Sequence, residues 1–126
     1  MNHILLANGT DGSTAPTLSG INAMEILIND LIKLGAQRDR LKAKVFGGAR
    51  MISGLSDIGA ENAEFAVSYL SQERIPLVTQ SLGGTQARNL RFWPASGRVM
   101  QKLTNTRVND VEVKPPHPPT HGLELF

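Results

Sequence analysis

The chain has 126 residues, 40% of them hydrophobic and 19% charged, which suits one globular domain burying about two-thirds of the surface its unfolded chain exposes. Its formal charge of +2 comes from Lys and Arg scattered among Asp and Glu with no basic run, so charge does not mark it as a nucleic-acid binder. Cysteine is absent, which removes disulfides, thiolate metal sites and thiol nucleophiles from these residues.

In chain order, residues 2–6 are short and apolar and read as the inside of a buried strand. The run is too short for a membrane span, which needs about 20 apolar residues, and lacks the basic flank and long apolar stretch of a signal peptide; the expected address is the cytoplasm. A turn-forming cluster follows over residues 7–16. From about Ser19 the period changes, with Ile21, Met24, Leu27, Ile28, Leu31 and Leu34 at spacings of three and four, which predicts an amphipathic helix stopped by Gly35. Alternation over residues 41–46 predicts a strand ending at Gly47-Gly48. A polar bridge over 49–57 leads to a second helix, with Asp57 as its N-cap and Glu61 and Glu64 near its start, where carboxylates suit the helix dipole. Its apolar set is Ile58, Phe65, Val67 and Leu70, and Ala60, Ala63 and Ala66 add helix propensity; the helix should end near Glu73. Residues 75–82 read as a strand with Pro76 confined to its start. Residues 87–93, the turn Pro94-Ala95-Ser96-Gly97, and residues 98–103 form a hairpin. Beyond Val113 the composition turns Pro-rich, so the expected division is a folded domain over 1–113 and an extended, flexible tail over 114–126. The elements together make an α+β fold.

Generic motifs carry little chemistry. Gly9-Thr10-Asp11-Gly12-Ser13-Thr14 looks phosphate-friendly but has no lysine before its hydroxyl residues, so a P-loop is missing its charge. His117 and His121 are four apart, yet Pro118 and Pro119 between them forbid the helix that would align both on one metal. No metal or cofactor is implied. Gly47-Gly48 and Gly83-Gly84 each close a predicted strand and admit two readings: positive φ with close packing, or bare backbone lining a cleft that substrate can approach. His3 is similarly open between a residue satisfied by a local hydrogen bond and a proton carrier.

Six segments change the weight of these readings by their order. His3-Ile4-Leu5-Leu6, Leu34-Gly35-Ala36, Lys44-Val45-Phe46-Gly47-Gly48-Ala49-Arg50-Met51, Ile58-Gly59-Ala60-Glu61-Asn62, Leu82-Gly83-Gly84-Thr85-Gln86-Ala87-Arg88 and Ser96-Gly97-Arg98-Val99 resemble, at matching intervals over residues 2–102, the CheD chemoreceptor glutamine deamidases. The closing Leu123-Glu124-Leu125-Phe126 also looks like the tail of some members. The resemblance implies an α-β sandwich, with a mixed β-sheet and two main helices. The implied activity is a cofactor-free amidohydrolase of bacterial chemotaxis that converts selected glutamines of methyl-accepting chemoreceptors to glutamates. The family uses a Cys-His pair with a supporting Thr: a thiolate attacks the amide carbonyl, and an imidazole helps generate it and protonates the leaving ammonia.

By this resemblance His3 matches the catalytic His, and Gly47, Gly48, Gly83, Gly84 and Arg88 are the expected substrate-binding residues. The planar fork of Arg88 suits it to orienting a carbonyl or an acidic partner residue. The family's Cys and Thr lie on strands upstream of the His, so the chain is expected to be truncated before the His strand, with Met1 an internal methionine of a longer protein, and to be inactive alone. The alternative is a non-catalytic module that binds chemoreceptors or a CheC-like phosphatase. Departures from the family pattern fall at Ala7-Asn8, where a Pro is usual, at Ile21, near a usual aromatic, and at Ser81, where an acidic residue is usual; these bear on loop geometry more than on chemistry.

Overall fold

The computed structural model describes residues 1–5, 15–50, 58–104 and 123–126. The first helix, α1, spans Ala15–Lys33, beginning ahead of the expected Ser19. Pro16 is accommodated there because the first turn needs no intrahelical N–H. The inward stripe is narrower than the periodicity suggests. Met24 and Ile28, one turn apart, are buried, whereas Ile21 and Leu31 sit at its margin and Leu34 lies past the helix, exposed. Gly35 stops the helix as expected: its N–H donates to the Ile32 carbonyl and that of Ala36 to Leu31, the paired bonds of a left-handed C-terminal cap.

After a single 3-10 turn at Arg38–Arg40, strand β1 (Ala43–Gly47), helix α2 (Ile58–Gln72) and strand β2 (Leu77–Leu82) form one β-α-β unit, with β1 and β2 parallel. Parallel neighbours need such a crossover. Pro76 stays outside the ladder, and its carbonyl accepts from the Ala43 N–H at 2.8 Å. The inward face of α2 is Ala66, Tyr69 and Leu70. Of the expected apolar set only Leu70 is fully buried, and Phe65 packs at the core's edge. Ala66, also buried, serves packing as well as helix propensity. Met24, Ile28, Tyr69, Leu70 and Ile75 make the core, with Ile4, Ala43, Val45 and Leu77 packed against it.

Strands β3 (Ala87–Trp93) and β4 (Arg98–Thr104) pair antiparallel from Trp93↔Arg98 to Ala87↔Thr104, matching the expected hairpin. The fold is α+β as expected, and among the described residues its strands form the parallel pair and an antiparallel sheet in the order β3-β4-β5. Strand β5 (Leu123–Leu125) lies within the stretch expected to be tail. It pairs with Met100–Lys102 of β4, and Phe126 and Val99 exchange both backbone hydrogen bonds. The boundary at residue 113, His117, His121, the loop over 9–14 and the Asp57 cap lie outside the described residues.

A correction concerns the start. Residues 1–5 are not a strand, because a strand needs a ladder partner and this segment is tied to a helix instead. The Asn2 side-chain amide donates to the Ala23 carbonyl at 3.2 Å, and Ile4 spends its side chain on the core.

Alternation along β1 separates the layers. Ala43 and Val45 face the helices. Lys44 and Phe46 face the antiparallel sheet, where the Phe46 ring meets that of Phe126 edge-on at 5.3 Å between centroids. The parallel pair is thus the middle layer, with helices on one side and β3-β4-β5 on the other. Among the described residues no helix is long and apolar enough to cross a membrane.

Candidate functional site

β1 and β2 run parallel and, after a register shift between Ala43 and Lys44, pair continuously to Gly47 opposite Leu82, so their double glycines emerge side by side at the same end. Positive φ at Gly47 (126°), Gly48 (69°), Gly83 (79°) and Gly84 (74°) is a conformation that a side chain opposes. The Gly83 N–H donates to the Gly47 carbonyl at 2.9 Å, and the Arg50 N–H to the Gly84 carbonyl at 2.8 Å. These bonds lace the two turns into one rim.

The rim's glycines divide between the two readings their spacing left open. A Cβ on Gly48 would come within 2.8 Å of the Gly59 carbonyl and 3.1 Å of Ala63 Cβ, so this residue lets the chain pass tightly over the first turn of α2. Gly59 is the reciprocal contact, where a Cβ would sit 2.5 Å from the Ala49 carbonyl. Among the described residues a Cβ on Gly47, Gly83 or Gly84 would meet nothing within 4 Å, so toward them those three present bare main chain.

Arg88 joins this rim from β3. Its Nη1 donates to the Gly47 carbonyl at 3.2 Å, and its Nε points at the Ser81 hydroxyl at 3.4 Å. One carbonyl thereby accepts from both Gly83 and Arg88, and the guanidinium ties the antiparallel sheet to the end of the parallel pair. Five of the six expected site residues are brought together.

His3 is not joined to them. It is exposed on the segment that Asn2 holds against α1, and no hydrogen bond links it to the rim among the described residues. A depression of about 300 Å³ lined by Gly35, Ala36, Gln37, Arg40 and Leu41 lies at the opposite end of β1.

Behind the rim is a polar layer that the spacing did not reveal. Lys44 Nζ donates to the main-chain oxygens of Gly97 at 2.7 Å and Phe126 at 3.1 Å. Gln101, 1% exposed, lies on the same face of β4 as Val99, and its Oε1 has no hydrogen-bond partner among the described residues. The available signal was alternation: once Ala43 and Val45 face a core, Lys44 must face the opposite layer. On the helix side, the Tyr69 hydroxyl donates to Glu25 at 2.7 Å. Burial, then this bond and the Glu25 charge, push the phenol's pKa well above its ordinary value.

The family model described as CheD chemotactic sensory transduction matches residues 6–103, a span that holds the whole rim and Arg88. This chain belongs to the CheD family. A Caulobacter vibrioides (strain NA1000 / CB15N) protein named Probable chemoreceptor glutamine deamidase CheD is 51% identical over 121 residues, covering 94% of this chain and 65% of the relative. Similarly named CheD proteins of Caulobacter sp. K31 and Rhizobium leguminosarum bv. trifolii WSM2304 are 50% and 47% identical; each alignment covers all of this chain, and respectively 71% and 74% of the relative. The chain therefore spans roughly two-thirds of the length of these CheD relatives, just under that share for the first.

Proposed function

We propose that this chain forms the histidine-bearing and substrate-facing part of a chemoreceptor glutamine deamidase. The observation that carries the reading is the family match running through both double glycines and Arg88, residues that the fold gathers into one open rim. In this reading a cysteine thiolate attacks the side-chain amide carbon of a receptor glutamine. His3 takes the thiol proton and returns it to the departing ammonia, leaving a thioester; water, deprotonated by His3, then releases glutamate and restores the thiol. Gly47, Gly83 and Gly84 let the receptor helix approach the main chain without a side chain intervening. Arg88 holds the Gly47 carbonyl in place and orients the bound segment. The partners are methyl-accepting chemoreceptors on their cytoplasmic side, and no cofactor is needed.

Because the 126 residues hold no cysteine, the thiol has to be supplied by residues outside them. The same zero favours a second reading, a non-catalytic CheD-like module that binds receptors or a CheC-like phosphatase. One experiment separates the two. Residues 3–103 of this chain replace the aligned segment of the Caulobacter vibrioides relative, and ammonia release from receptor fragments bearing target glutamines is measured. A folded chimera that deamidates, and stops on His3→Ala, supports the enzyme reading. A folded chimera that binds receptor but releases no ammonia, beside an active parent, leaves the binding module.

A further inference from the structure

The closing residues of the chain make contacts that an added edge strand does not require. β5 pairs with β4 through its backbone, but Phe126 reaches across the layer. Its ring packs edge-on against Phe46 at 5.3 Å, and its main-chain oxygen accepts from Lys44 Nζ at 3.1 Å. Lys44 and Phe46 both belong to β1, and Phe46 directly precedes Gly47. The same ammonium holds the Gly97 oxygen at 2.7 Å, so one charge fastens both the β3-β4 turn and the end of β5 onto β1. Charge-assisted bonds between layers are short, directional and stronger than neutral ones. On the far side of Phe46 its ladder partner Ser81 meets Arg88, which also holds the Gly47 carbonyl. The contacts thus run unbroken from Phe126 through Phe46 to the glycine rim.

We infer that Phe126 is a positioning residue for the rim: residues Leu123 to Phe126 act as a strap, fastened by Lys44, that sets where the end of β1, and with it Gly47 and Gly48, lies relative to β2. This deepens the reading of the rim as the substrate-facing surface and rests on it. The strap adds no group to the chemistry. It fixes the two turns that the Gly83-to-Gly47 and Arg50-to-Gly84 bonds hold together.

Amide hydrogen exchange on the 126-residue chain tests this without substrate or turnover, so its outcome is separate from that of the deamidation assay. Phe126→Ala should speed exchange at the Gly83 and Arg50 amides roughly tenfold. The Ile75 amide, bonded to Leu70 in the helix-side core, should change by less than about twofold. Phe126→Tyr, which keeps the ring, should behave as the parent. Lys44→Met, which removes only the fastening, should reproduce the alanine pattern and serves if Phe126→Ala does not fold. Equal acceleration at all three amides would reduce the strap to a contributor to global stability and overturn the proposal, and so would unchanged exchange at Gly83.

Discussion

On its helix-facing side β1 contributes Ala43 and Val45 to an apolar core with Met24, Ile28, Leu70 and Ile75. On the other side Lys44 and Phe46 meet a layer holding a lysine fastened to two main-chain oxygens, an arginine on a glycine carbonyl and a buried glutamine. Apolar burial is non-directional and scales with area, so the first face fixes that the helices dock but only loosely how. Each polar contact on the second face requires a donor near 3 Å from its acceptor in a narrow angular range. That face therefore sets the placement of the sheets, and through Gly47 the shape of the rim. In this fold, stability concentrates on one face of a five-residue strand and geometry on the other.

The sharpest way to break the comparison is a volume change on the helix face. Leu70→Ala should cost about 3 kcal/mol in urea unfolding, because the buried site cannot fully collapse around the cavity. The rim's exchange pattern should then loosen only as much as the whole fold does. Lys44→Met on the other face should cost less, about 2 kcal/mol, while disturbing the rim more. If the larger loss of stability also produced the larger local change at Gly83, the division of labour would fail.

Tyr69 is the polar exception on the apolar side. Tyr69→Phe removes its bond to Glu25 and should cost about 1 kcal/mol at neutral pH. The phenol's folded pKa is raised above the unfolded value of 10.0. Its contribution is therefore complete below that pH and falls as pH rises further, because the unfolded chain then ionises while the folded one still holds its proton. The gap between parent and variant, read as melting temperature against pH, should be constant up to about pH 9 and narrow above pH 10. A gap that widened in alkali would show that the hydroxyl does not titrate in this way.

The smallest expected effect has the opposite sign. Gln101 keeps its Oε1 buried without a partner among the described residues, which costs desolvation with no return. Gln101→Met, similar in volume, should leave stability unchanged or raise it by up to about 1 kcal/mol. A loss exceeding that would mean the oxygen has a donor in the folded protein and would count the residue among the polar contacts that place the sheets.

The accuracy of a reading from sequence followed the range of the interactions involved. The hairpin at residues 87–104 appeared nearly residue for residue, since a four-residue turn between alternating runs is a local signal. The glycine rim was legible as two separate pairs, and the role proposed for them came from the family resemblance. What joined them was the parallel register of β1 and β2 and the reach of Arg88, neither of which periodicity encodes. His3 was legible as a residue, and its environment was not. The segment around it has strand composition, but a ladder is a property of two segments, and Asn2 and Ile4 are engaged by a helix and a core.

The end of the chain shows the same limit from the other direction. Leu123 to Phe126 follows a Pro-rich stretch and reads as tail, yet it pairs with β4 because that strand's edge and the Lys44 ammonium offer acceptors and donors that no local pattern announces. By itself the sequence determined the helices, the hairpin, the family and the absence of a thiol, since these depend on residue identity and on neighbours within a few positions. Only the tertiary structure decided which glycines present bare main chain, which charges hold the layers, and that Phe126 stands against the strand leading to the rim. Those depend on contacts between residues 41 to 82 positions apart, such as Arg88 with Gly47 and Lys44 with Gly97 and Phe126, and on directional bonds that exist only once both partners are in place.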